Sequence, residues 1–141
     1  MVIVVGYAPR PESRAALDAA VAEARQRGAR LHLVRTVGQG PSENPTQTRQ
    51  WADTARQASN EIREVAEELN ASGLEVSYDV ESVSTAAAPH LLDVAQRLNA
   101  ELIVIGLRRR SPVGKLVMGS VSQEILLGAE CPVLAVKAPN D

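Results

Sequence analysis

The chain reads as an α/β protein, an open parallel sheet with helices on both faces, and three features carry that expectation. Short apolar runs, mostly aliphatic and β-branched, stand at residues 2–5, 31–34, 102–105 and 133–136. Each is too short for a helix and apolar at consecutive positions, as in strands buried on both faces. Between them lie longer stretches whose apolar residues recur three and four apart, the spacing of one helix face. Finally, residues 74–80 (Leu-Glu-Val-Ser-Tyr-Asp-Val) alternate apolar with polar, the pattern of a strand covered on one side only.

Taken in order, the 2–5 strand leads into a first helix with Leu17, Ala20, Val21 and Ala24 on one face and Arg14, Glu23, Arg25 and Arg27 beside them. Pro11 suits its first turn, where a missing N–H costs nothing, and Gly28 suits its end. After the 31–34 strand, residues 38–48 contain two prolines, two glycines and no apolar residue, which predicts a surface loop placed as a lid over the carboxyl side of the sheet. A second helix runs from Trp51 through Ala55, Ala58, Ile62, Val65, Ala66 and Leu69, and Gly73 ends it. The 74–80 strand follows as an edge strand. A third helix, with Leu91, Val94, Ala95 and Leu98, comes after Pro89 and leads to the 102–105 strand. A fourth spans about residues 120–129, before the final strand. Strands alternating with helices in this way imply right-handed crossovers and a parallel sheet.

Length and composition bound the function. At 141 residues the chain suits one domain, 1–141, with a single core. Its 45% apolar and 23% charged residues are those of a folded globular protein. No apolar run is long enough to span a bilayer, and no basic leader precedes the first strand, so a cytoplasmic protein with no membrane partner is expected. A lone cysteine, Cys131, excludes an internal disulfide and fits that compartment. The net charge of −2 and only three aromatics, Tyr7, Trp51 and Tyr78, argue against nucleic-acid binding.

Residues 106–123 are the most unusual stretch. They hold Arg108, Arg109, Arg110 and Lys115 and no acid, although the chain has 17 acidic and 15 basic residues. Positive charge is therefore focused between a buried strand and a helix. Gly106 and Gly119 bound the loop, and Ser120 with Gln123 has the spacing of a capping box, which would leave helix-start amides facing it. Such a helix start, following a strand of an open sheet, suits an anion and phosphate in particular. The plainer reading is a solvated basic loop whose glycines only turn the chain. Gly114-Lys115 matches the end of a P-loop, but glycine would be needed at Arg109 and serine or threonine at Leu116. Neither a G-x-G-x-x-G nor a G-x-S-x-G motif occurs.

At these residues the chain resembles the universal stress protein family, from Val2-Ile3-Val4-Val5-Gly6-Tyr7 through Cys131-Pro132-Val133-Leu134-Ala135-Val136. The resemblance implies a Rossmann-like five-stranded sheet in order 3-2-1-4-5. It also implies homodimers paired through Val133, Leu134, Ala135 and Val136, and no settled catalytic activity. The uncovered apolar last strand independently suggests such pairing. ATP-binding members carry G-x2-G-x9-G-S/T. Here Gly106, Gly119 and Ser120 match and Arg109 replaces the second glycine, either obstructing backbone approach or gripping a phosphate itself. By resemblance, Arg108, Arg109 and Val121 also belong to the nucleotide site, with Ala8 after the first strand and the backbone near Thr36 and Val37 at the base. The aspartate usual after the first strand is missing, since Val5-Gly6-Tyr7-Ala8-Pro9-Arg10 offers no acid before Glu12.

The remaining polar residues read as structural. His32 lies within an apolar strand and is expected to pack in the core, His90 starts a helix, and no spacing of His, Asp, Glu or Cys suggests a metal. Cys131 reads as an inert apolar residue, and Glu61, Glu64, Glu67 and Glu68 as a solvated helix face. Asn70-Ala71-Ser72 has the form of a glycosylation acceptor but falls on a helix end. The expected function is a stress-response dimer that binds ATP or AMP and signals through occupancy, with ATP hydrolysis slow or absent and no catalytic residue. The alternative is a dimeric interaction module that has lost the nucleotide.

Overall fold

The computed structural model describes residues 1–38, 44–83, 87–108 and 118–138. Strands and helices alternate as β1 (Val2–Gly6), α1 (Pro11–Arg27), β2 (Arg30–Gly38), α2 (Pro45–Ala71), β3 (Val76–Val83), α3 (Ala87–Arg97), β4 (Leu102–Leu107), α4 (Ser120–Gly128) and β5 (Val133–Lys137). All pairings are parallel and the strand order is β3-β2-β1-β4-β5, as the family resemblance implied. The alternating strand is one edge and the apolar last strand the other.

The unbroken apolar runs have a direct cause. Ile3 and Val5 of β1, Leu31 and Leu33 of β2, and Val104 of β4 join one core with Leu17 and Ala20 of α1 and Ile62 of α2. The intervening residues Val2, Val4, Val34, Ile103 and Ile105 join a second core with Leu91 and Val94 of α3 and Ile125 of α4. Central strands thus bury both faces, and each fully buried Val, Leu or Ile contributes about 1.5–3 kcal/mol. Among the described residues no helix is long and apolar enough to cross a membrane.

Helix ends follow local chemistry, with some departures from expectation. Pro11 opens α1, and Gly28 closes it at φ 67°, a conformation that favours glycine. Helix α2 begins at Pro45 rather than Trp51, because Asn44 caps it: its side-chain oxygen accepts from the Thr46 amide at 2.9 Å. Residues 45–50 are all exposed, so no apolar period marked them as helical. The polar stretch read as a lid is correspondingly shorter, and its residues 39–43 lie outside the described residues. Helix α3 begins at Ala87, with Pro89 inside its first turn. Strand β3 is displaced to Val76–Val83, where the Asn70 side chain brackets its start, accepting from the Val76 amide at 2.9 Å and donating to the Val76 carbonyl at 3.2 Å.

Two side chains differ from their expected roles. Glu61 is not simply solvated, since its carboxylate lies 3.0 Å from the guanidinium of Arg35 on β2. His32 is mostly buried but polar in its contacts, with Nδ1 2.7 Å from Ser77 Oγ, and burial lowers its pKa. Cys131 is half-buried, and burial pushes its thiol pKa up, which suits an unreactive residue.

Candidate functional site

The strand order reverses between β1 and β4, so the chain leaves their carboxyl ends in opposite directions and opens a crevice between them. A cleft of about 490 Å³ fills that crevice, a size within the roughly 300–1,000 Å³ of small-molecule sites. Val34, Ile105, Leu91 and Ile125 give it an apolar floor and wall. Thr36, Ser13 and the starts of α1 and α4 give it a polar side.

The start of α4 supplies the donors. Gly119, at φ −70° and ψ 162°, occupies the cap position without a side chain to bond the helix amides. The first bond of the helix runs from the Gln123 amide to the Gly119 carbonyl at 3.0 Å. The amides of Ser120, Val121 and Ser122 therefore have no acceptor within the helix, and these residues line the cleft. The expected capping box is corrected accordingly: Ser120 is the first helical residue, one position past the cap. A glycine cap leaves those amides for a ligand, and the helix dipole favours a negative one.

The two matched glycines do different work. A Cβ at Gly106 would stand 2.2 Å from the Glu12 carbonyl oxygen and 2.4 Å from its carbon, because β4 ends against the first turn of α1. Gly106 is thus required by packing alone. A Cβ at Gly119 would meet no atom of the described residues within 4 Å. Open space there belongs to the cleft.

Glu12 is the residue that sequence reasoning missed. Only 13% of its side chain is exposed, it lines the cleft, and its Oε1 lies 3.8 Å from Arg108 Nε. An acid does enter the cleft, from the start of α1 instead of the end of β1. Its signal in the sequence was faint, one acidic residue in a helical first turn where such residues are common.

Of the residues singled out by sequence, Ala8, Gly106, Arg108, Gly119, Ser120 and Val121 all line the cleft. Thr36 lines it too, whereas Val37 is buried and does not. Arg109 lies outside the described residues. Val133, Leu134, Ala135 and Val136 are each half-buried on the edge strand β5.

An open parallel sheet with helices on both faces and a cleft at its switch point, faced by amides with no acceptor among the described residues, defines an α/β protein of Rossmann-like architecture. Residues 1–137 match the model of the universal stress protein family, and the chain belongs to that family. It is 38% identical over 136 residues to a universal stress protein of Mycolicibacterium smegmatis, a match covering 96% of each chain. It is also similar to a solved universal stress protein of Archaeoglobus fulgidus, at 31% identity and a TM-score of 0.67, over 97% of this chain and 98% of that one. A universal stress protein of Archaeoglobus fulgidus solved in complex with dAMP shares the fold at 24% identity, with a TM-score of 0.58 over 97% of this chain and 98% of the other.

Proposed function

We propose that this protein binds an adenine nucleotide, AMP or ATP, in the cleft between β1 and β4 and acts in the cytoplasm as a stress-response dimer whose signal is occupancy. The observation that carries this reading is the run of Ser120, Val121 and Ser122 amides, without an acceptor among the described residues, facing a cleft of about 490 Å³. Phosphates seat on those amides, with the Ser120 hydroxyl and Arg108 beside them. The apolar wall of Val34, Leu91 and Ile105 suits a base, and Glu12 is placed to accept from a ribose hydroxyl. The dAMP complex of a family relative supports the choice of ligand.

Calorimetric titration with AMP, ATP and inorganic phosphate tests the proposal. One adenylate per chain should bind, and Ser120→Ala should weaken it about 2- to 10-fold, the worth of one hydrogen bond of about 0.5–1.5 kcal/mol when the backbone donors remain. Negligible heat with every adenylate would overturn it. The Glu12–Arg108 contact favours a second reading, an interaction module in which the arginine is already neutralised from within the chain. Negligible adenylate heat from the folded protein is the result that reading expects.

The dimer is proposed through β5, whose outer edge has no strand partner among the described residues and whose side chains Val133, Leu134, Ala135 and Val136 stay partly exposed. Sedimentation equilibrium should give twice the 15.0 kDa chain mass. A mass of 15.0 kDa across the concentration range would contradict pairing.

A further inference from the structure

Strand β3 turns its polar alternation toward α3, and a second cluster of chemistry-bearing side chains forms there, none of which lines the cleft. Asp79 and Glu81 project from β3, and His90 comes down from the first turns of α3. Each of the three places a ligand atom within 4.8 Å of the others. His32 approaches from β2, the neighbouring strand, where it pairs in register with Ser77.

The distances within the cluster are informative because they are wrong for hydrogen bonds. His90 Nε2 lies 3.5 Å from Asp79 Oδ1, and His32 Nε2 lies 3.9 Å from Asp79 Oδ2. Direct N–H···O bonds fall at about 2.7–3.2 Å. His90 Nε2 is buried and makes no hydrogen bond, an arrangement that leaves a polar atom desolvated without return. Ligands bonded to one cation at about 2.0–2.2 Å stand roughly 3.0–3.5 Å apart, which is the spacing of His90 from Asp79. Among the described residues no arginine or lysine pairs with Asp79 or Glu81, and the ion-pair neighbours of Asp79 are the two histidines. His32 stands beside the group, its Nδ1 2.7 Å from Ser77 Oγ, a contact that orients the ring.

The geometry points to a divalent transition-metal site, zinc in type, formed by Asp79, Glu81 and His90, with His32 beside it. Imidazole and carboxylate donors together select such ions over magnesium or calcium, which favour all-oxygen sets. A bound ion ties the start of α3 to β3. Ala87 and Leu91, which flank His90, line the nucleotide cleft, so the metal would brace that wall. No spacing along the chain marks the site, because its ligands lie on β3 and α3 and meet only through the packing of that helix on the sheet.

Competition titration of the tag-free protein with zinc against a chromophoric chelator tests the site. Wild type should take one zinc per chain, and zinc should raise the melting temperature in proportion to its occupancy. His90→Gln should weaken zinc at least tenfold. Glu81→Gln, at an exposed position whose change leaves the fold intact, should weaken it several-fold and lower the zinc-induced melting shift. Cys131→Ser should leave affinity unchanged. Equal zinc affinity in wild type, His90→Gln and Glu81→Gln would overturn the assignment, and so would loss of zinc in Cys131→Ser.

Discussion

Gly106→Ala should lower stability by about 3 kcal/mol, the upper part of the range for overpacking a filled site, and at this chain length roughly 10 °C in melting temperature. The cause is a fixed collision. The added methyl would stand 2.2 Å from the Glu12 carbonyl oxygen, a backbone atom at the start of α1 that no rotamer change can remove. At Gly128 the nearest atom, 2.8 Å from an added Cβ, is the end of the Leu92 side chain, which can turn away. Relief at Gly106 therefore requires β4 and α1 to separate, and Val104 and Leu17 share the core between them. Thermal melting without nucleotide checks this. An unchanged melting temperature would mean that the close approach of Gly106 to α1 is not a packing constraint.

Gly119→Val should behave in the opposite way, keeping the melting temperature of the free protein while losing at least tenfold in adenylate affinity, or about 1.4 kcal/mol. Its backbone angles, φ −70° and ψ 162°, are extended and well suited to a β-branched residue. Among the described residues no atom lies within 4 Å of the added Cβ, so the fold around it has room. A valine there would project beside the amides of Ser120 and Val121, into the volume assigned to phosphate. Calorimetry with AMP on the folded variant reads the loss. Wild-type affinity would show that the ligand does not approach this helix start. Together the pair separates the motif's two glycines, one kept by the protein's own packing and the other by the space a ligand needs.

The sheet was legible because its central strands bury both faces and so carry unbroken aliphatic runs, while β3 shows its edge position through alternation. Other features depended on interactions that hydrophobic period does not record. The opening of α2 is set by the Asn44 side chain ahead of six exposed residues, 45–50, so its start had no apolar signature. The α4 start was misassigned by one residue, because serine is the stronger cap former and yet glycine holds the position, leaving the helix without a side-chain cap. Glu12 looked ordinary in a first turn and gains its place in the cleft only when β4 brings Arg108 beside it. Likewise His32, Asp79 and His90 are far apart in the chain and converge only through the β2–β3 register and the packing of α3. Strand identity and helix faces are local properties. Cleft chemistry is a property of the strand order.

The most direct test of the central claim is to follow the backbone amide resonances of the isotope-labelled protein by nuclear magnetic resonance during titration with AMP. The largest shifts should fall on Ser120, Val121 and Ser122 and saturate together at one nucleotide per chain. Saturable binding that leaves those three amides unmoved, or no shifts at all, would contradict the placement of the phosphate at the start of α4.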